Sequence, residues 1–158
     1  MMKRWIKSMV LIALGMTIIS VHAQSPAKPF ALNLNEWDQS KTAVALANGM
    51  TMGLIERGNK NGKALVLIHG YTDNGRDWLP LVPFLDPQYH LLIVDIRGHG
   101  ASSKPECCYA PIDFAYDIKL LLDAKHIERA DIMGHSLGSI IAQVFAEQFP
   151  ERVNKTIL

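Results

Sequence analysis

The sequence predicts an α/β fold in which an antiparallel hairpin leads into a mostly parallel sheet with helices on both faces. Three observations carry this prediction. Asn48-Gly49 lies between two apolar stretches, short runs rich in Leu, Val and Ile follow it, and helix-like segments separate those runs. Short runs that are apolar on both faces are typical of buried parallel strands. The composition, 49% hydrophobic and 20% charged over 158 residues, suits one globular domain.

The elements follow in order along the chain. Two antiparallel strands are predicted at about 42–47 and 50–57, since Asn48 and Gly49 both tolerate the positive φ of a tight hairpin turn. The predicted parallel strands are 64–69, 90–96, 130–135 and 153–158. The predicted helices are 77–85, 112–126 and 137–149. Strands that alternate with helices in this way indicate right-handed crossovers in one sheet.

Residues 1–23 have the pattern of a secretory signal peptide. Three basic residues come before an uncharged apolar run, Met9 to Val21, and the small residue Ala23 suits a cleavage site. The apolar run has 13 residues, whereas a helix that spans a bilayer needs about 20. We therefore expect export to the periplasm or the medium, without stable membrane insertion after cleavage. The alternative is an uncleaved membrane anchor.

Residues 24–41 contain two prolines and little periodicity, which indicates an N-terminal arm before the α/β domain at 42–158. Residues 1–23 hold three basic and no acidic residues, so their removal changes the formal net charge from +1 to −2. A near-neutral protein without a basic cluster gives no electrostatic reason to expect nucleic acid as a partner.

The only two cysteines of the sequence, Cys107 and Cys108, are adjacent. In an oxidising compartment they could form a vicinal disulfide, pair with cysteines outside this chain, or remain free thiols. Two neighbouring thiols without a flanking histidine supply too few ligands for a metal ion, so no metal site is expected.

The pentapeptide Gly134-His135-Ser136-Leu137-Gly138 lies where a predicted strand ends and a predicted helix begins. A serine hydroxyl is a weak nucleophile unless a base takes its proton and donors hold the developing oxyanion. A sharp strand-to-helix turn exposes the serine, and it requires small residues two positions before and after, as in the G-x-S-x-G nucleophile elbow. A helix N-cap in a glycine-rich turn is the alternative. The flanking strand and helix favour Ser136 as the catalytic residue.

Two further motifs accompany the pentapeptide. His69-Gly70 directly follows the first parallel strand, and the loop 95–105, DIRGHGASSKP, follows the second. With all three motifs in order, residues 42–158 resemble the N-terminal part of the α/β-hydrolase fold superfamily, in the branch of small serine esterases and lipases. The resemblance implies that Gly70 turns the backbone toward the nucleophile. It also implies that the backbone N–H groups of Tyr71 and Leu137 form the oxyanion hole, and that the loop 95–105 is structural.

The resemblance implies a serine hydrolase that cleaves an ester or similar acyl bond of a small molecule, through an acyl-enzyme on Ser136 and without a cofactor. The family's triad runs in the order Ser, Asp or Glu, His. The chain ends at Leu158, so we expect the acid, the base, the lid and the last strands to lie outside it and the chain alone to be inactive. A cofactor-free haloperoxidase-like enzyme, a carbon–carbon bond hydrolase and a non-catalytic binding protein of this fold are the open alternatives. Haloalkane dehalogenases and epoxide hydrolases of this fold have aspartate at the nucleophile position, which serine at 136 argues against.

Overall fold

A computed structural model describes residues 33–85 and 87–158, and in it the chain forms a six-stranded sheet with helices on both faces. The strands are β1 (Thr42–Ala45), β2 (Thr51–Gly58), β3 (Ala64–Ile68), β4 (His90–Val94), β5 (Ala130–Gly134) and β6 (Val153–Ile157). The helices are α1 (Leu34–Gln39), α2 (Pro111–Ala124) and α3 (Leu137–Gln148). The spatial order of the strands is β1-β2-β4-β3-β5-β6. The predicted α/β fold is confirmed.

The sheet is antiparallel at one edge and parallel elsewhere. β1 and β2 form the predicted hairpin, whose turn residue Gly49 has a φ of +80°. β2 also pairs antiparallel with β4. β3 lies between β4 and β5 in parallel, and Ile68 is opposite both Val94 and Gly134. The carboxyl ends of three strands therefore meet in one row, which is where ligands bind in open α/β sheets.

Alternate side chains of each strand point to opposite faces of the sheet. Each face is therefore covered by its own apolar layer. On one face α2 and α3 supply the fully buried Ile118, Leu121 and Phe145. The other face is covered by Trp37 of α1 and by Trp78 from the loop after β3. Full burial of one large apolar side chain contributes about 1.5–3 kcal/mol, so both layers contribute to the stability of the sheet that positions the loops.

The predicted helix at 77–85 is wrong. The structure has two short 3-10 turns in this part of the chain, Gly75–Trp78 and Val82–Phe84. Pro80 and Pro83 cause the difference, because proline lacks the backbone N–H of a helical hydrogen bond and clashes with the preceding turn.

The described part of the predicted N-terminal arm at 24–41 contains α1, whose Trp37 packs in the apolar cluster on one face of the sheet. Trp37 is 0% exposed, and Lys41 Nζ lies 2.7 Å from Asp95 Oδ2. The Asn33 side chain caps the helix by accepting a bond from Asn35 N–H. A helix of six residues is too short to give a periodic sequence signal.

The predicted signal peptide at 1–23, and the anchor that is its alternative, lie outside the described residues. Within the part of the chain that the structure describes, no helix combines the length and the apolar character needed to cross a bilayer.

Candidate active site

Ser136 lies at the tight junction between β5 and α3, and its side chain is exposed. Its backbone has a φ of 53° and a ψ of −116°. Residues other than glycine rarely adopt a positive φ, and such a backbone conformation costs on the order of 1–3 kcal/mol. The strain persists only because the surrounding structure holds the junction in place.

Two glycines allow that junction. A Cβ added to Gly134 would lie 2.1 Å from the Gly138 carbonyl oxygen. A Cβ added to Gly138 would lie 2.1 Å from the Ile68 carbonyl oxygen. Both neighbours are backbone atoms, which cannot rotate away as a side chain can. The two glycines therefore let α3 pack directly on β5 and on the end of β3, and this packing fixes Ser136.

The loop after β3 passes beside Ser136. A Cβ added to Gly70 would lie 3.3 Å from the Ser136 Cβ. Tyr71 and Leu137 line one cavity of about 610 Å³. Within the described part of the chain, neither of their backbone N–H groups donates to a protein acceptor. Free amide donors beside an exposed hydroxyl are the chemical parts of an oxyanion site.

His69 orients the peptide group that carries the Tyr71 N–H. Its ring is fully buried. Ile96 N–H donates to Nε2 at 3.1 Å, so Nδ1 carries the proton and donates to the Gly70 carbonyl at 2.7 Å. The C=O and N–H of a trans peptide point in opposite directions, and the described residues contain no cis peptide. The Tyr71 N–H therefore points away from the buried ring.

The buried state of His69 predicts a pH dependence of stability. Burial lowers the pKa of His69 below its ordinary value of 6.5, against the opposing effect of its bond to the Gly70 carbonyl. Between its lowered folded pKa and 6.5, the unfolded chain binds a proton that the folded chain does not. The free energy of unfolding is therefore expected to decrease as the pH falls below about 6.5. Urea denaturation between about pH 5 and pH 7 measures this slope.

The variant His69→Asn is expected to be less stable at neutral pH and to lose the His69 part of the slope. His126→Asn, at an exposed position after α2, is the matched control and should keep the wild-type slope. Carboxylates act at lower pH: burial alone would raise the Glu56 pKa, but hydrogen bonds and charge attraction from Lys125 and His90 together lower it below 4.5. An unchanged slope in His69→Asn would contradict the assignment.

No histidine of the described residues hydrogen-bonds to the candidate serine. His135 Nδ1 lies 2.8 Å from Asp77 Oδ2, in the loop after β3. The His99 ring nitrogens lie next to the backbone carbonyl oxygens of Arg97 and Tyr71. His90 Nε2 lies 2.7 Å from Glu56 Oε2. Within the described part of the chain, Ser136 therefore has no histidine as a hydrogen-bond partner.

The loop 95–105 is held by Asp95, which is 1% exposed. Its Oδ1 accepts a bond from Gly75 N–H at 2.7 Å. Its Oδ2 accepts from Ala101 N–H and from Lys41 Nζ, both at 2.7 Å. Asp95 thus joins the segment between α1 and β1, the loop after β3 and the loop after β4. Lys41 could not be predicted from the sequence, because 54 residues separate it from its partner.

Known proteins resemble this chain over the same elements. A family model described as alpha/beta hydrolase fold matches residues 63–158. A serine hydrolase-like protein of Danio rerio is 32% identical over 103 residues, which are 64% of this chain and 32% of that protein. The 2-(acetamidomethylene)succinate hydrolase of Mesorhizobium japonicum is 33% identical over 108 residues, 68% of this chain and 38% of that enzyme. The solved structure of epoxide hydrolase A from Mycobacterium thermoresistibile matches with a TM-score of 0.70 and 32% identity, covering 74% of this chain and 37% of that one. The chain spans about a third of the length of the curated relatives that it matches.

Proposed function

Since the chain belongs to the α/β-hydrolase fold family, we propose that it is the part of a serine hydrolase that carries the nucleophile, Ser136, for cleavage of an ester or similar acyl bond. One observation carries the proposal. The exposed Ser136 hydroxyl lies at a strained strand-to-helix junction, beside the N–H groups of Tyr71 and Leu137, for which the described residues supply no acceptor. A strained and exposed serine between packed glycines has little structural use, whereas it suits nucleophilic attack.

The proposed reaction proceeds through an acyl-enzyme. Ser136 Oγ attacks the carbonyl carbon while its proton passes to a base, and the carbonyl electron pair moves onto oxygen. The Tyr71 and Leu137 N–H groups donate to this oxyanion, and loss of one such donor typically costs about 2.7–4 kcal/mol. The tetrahedral intermediate then expels the alcohol, which takes the proton from the base. Water cleaves the acyl-enzyme by the same steps and restores Ser136.

The helix after the serine adds to this stabilisation. α3 has 12 residues and begins at Leu137, so its first N–H groups and its partial positive charge lie at the reacting centre. Both favour the negative oxygen more than the neutral ester, which is the condition for an interaction to accelerate a reaction.

We place the base and the acid in polypeptide beyond the residues described. No histidine in the described part of the chain bonds to the serine, and the family's order places both partners after the nucleophile. The relatives' names support hydrolysis in general. Serine at position 136, where the epoxide hydrolases have aspartate, favours acyl transfer over epoxide opening.

The 158-residue chain alone is expected to hydrolyse p-nitrophenyl acetate no faster than its Ser136→Ala variant, because we place the general base outside it. Release of p-nitrophenolate measures the two rates. Ser136-dependent hydrolysis by the 158-residue chain would contradict this prediction and place the base among these residues.

A fluorophosphonate probe tests the nucleophile itself in the polypeptide encoded by the complete reading frame. We expect a covalent adduct on Ser136, identified by peptide mass mapping, and none in Ser136→Ala. A folded complete polypeptide whose serine stays unlabelled would overturn the proposal in favour of a binding protein.

A further inference from the structure

Cys107 and Cys108 form a disulfide with each other, one of the alternatives that the sequence left open. Both residues are exposed, in the segment that joins the loop 95–105 to α2. Cys108 has a φ of 73°, a left-handed conformation that residues other than glycine adopt infrequently. Cys108, which is covalently bonded to Cys107, thus has an unfavourable backbone conformation.

The Cys108 carbonyl is hydrogen-bonded to the arginine of a buried ion pair, Arg97–Asp117. It accepts a bond from Arg97 Nη1 at 2.5 Å, and Arg97 is 6% exposed. The Arg97 guanidinium makes two further bonds to Asp117 of α2, at 2.6 and 2.7 Å. The Cys108 backbone is therefore hydrogen-bonded to Arg97, the residue that links the loop after β4 to α2.

The next residue, Tyr109, forms one wall of the cavity that contains both proposed oxyanion donors. Its ring packs on Gly98 so closely that a Cβ there would lie 2.6 Å from Tyr109 Cε1. Its hydroxyl donates to the Pro105 carbonyl at 2.7 Å. Since Tyr109 directly follows Cys108, the position of this wall depends on the backbone of Cys108.

We expect the disulfide to constrain the Cys108 backbone and to add little to the stability of the whole fold. The stabilisation by a disulfide grows with the length of the loop that it closes, and two adjacent residues close the shortest loop. With the bond open, Cys108 is free to adopt the negative φ that L residues prefer. That change turns its carbonyl away from Arg97 and displaces Tyr109 from Gly98.

We propose that a dithiol reduces the Cys107–Cys108 disulfide. The redox state of this disulfide determines the position of Tyr109, which forms one wall of the cavity beside Ser136. A thiolate of the dithiol attacks one Sγ, forms a mixed disulfide and releases the other cysteine as a thiolate, which takes a proton. The second thiol of the dithiol then displaces the remaining cysteine. Two electrons and two protons pass to the protein, and the dithiol leaves as its own disulfide. The exposure of both cysteines gives the attacking thiolate access.

Dithiothreitol tests the proposal on the 158-residue chain. Protein purified in air should contain no free thiol in an assay with Ellman's reagent, and reduction should yield two thiols per chain. Hydrogen exchange followed by mass spectrometry should then show at least about tenfold faster amide exchange in 98–110, where the Gly98 N–H bonds to the Ser103 carbonyl and the Ala110 N–H bonds to Asp113. The thermal midpoint should change by less than about 4 °C, since only local structure is released.

The double variant C107S/C108S is the matched control. Because the sequence has no other cysteine, this variant should exchange fast in 98–110 with and without dithiothreitol. Free thiols before reduction, unchanged exchange after confirmed reduction, or loss of protection throughout the sheet would each overturn the proposal. If the variant does not fold, hydrogen exchange of the wild-type chain before and after reduction tests the proposal by itself. The experiment measures the loop and not turnover, so its failure is distinct from failure of the proposed hydrolase function.

Discussion

Replacing Ser136 with alanine is expected to lower kcat/KM for ester hydrolysis by the complete polypeptide by about four to six orders of magnitude. The proposed acyl-enzyme cannot form without Oγ, so only the proposed oxyanion donors and substrate binding would remain to accelerate attack by water. KM should change much less than kcat, because the hydroxyl contributes mainly in the transition state. Initial rates with p-nitrophenyl acetate measure both constants, and circular dichroism verifies the fold.

Ser139→Ala is the matched control for this substitution. Ser139 lies three residues later, and its Oγ donates to the Gly134 carbonyl at 2.9 Å. Loss of one neutral hydrogen bond costs about 0.5–1.5 kcal/mol, so we expect activity to stay within about tenfold of wild type. If Ser139→Ala were the more damaging of the two, or if Ser136→Ala kept most of the rate, the assignment of the nucleophile would be wrong.

Elements with a strong local signal were predicted from the sequence. β3 and β4 are continuous apolar runs, and both are buried on each face in the structure. The tight strand-to-helix turn at Ser136 was predictable because its close backbone contacts require glycine. In the structure, a Cβ at Gly134 or at Gly138 would clash with backbone atoms. A close approach of two backbones leaves a signature in the sequence only where no side chain fits.

Features that depend on contacts far apart in the sequence were not predicted. Trp37 is buried by strands that follow it in the chain, so its short helix looked like an arm. The pairing of β2 with β4 and the bond between Lys41 and Asp95 join segments that no local pattern connects. The same holds for the candidate site: the pattern indicated the serine and the donor residues, whereas the roles of His69 and Asp95 required the fold.

Replacing Gly138 with alanine is expected to lower the free energy of unfolding by about 3 kcal/mol or more. The added methyl group would lie 2.1 Å from the Ile68 carbonyl oxygen, so α3 or the end of β3 must move. Overpacking of this kind typically costs about 1–3 kcal/mol when side chains can adjust, and here the neighbour is backbone. Since domains are stable by about 5–15 kcal/mol in total, the loss is large. Urea denaturation followed by circular dichroism measures it.

Gly49→Ala separates this steric effect from backbone strain. Gly49 has a φ of +80°, but a Cβ there would meet nothing within 4 Å, so the variant carries strain without a clash and should lose only about 1–2 kcal/mol. No positive φ is recorded for Gly138, so its variant carries a clash without that strain. Equal losses in the two variants would show that α3 does not pack against the end of β3 as described. The close packing that holds Ser136 at its positive φ would then be absent, and with it the physical reason for a nucleophile at that position.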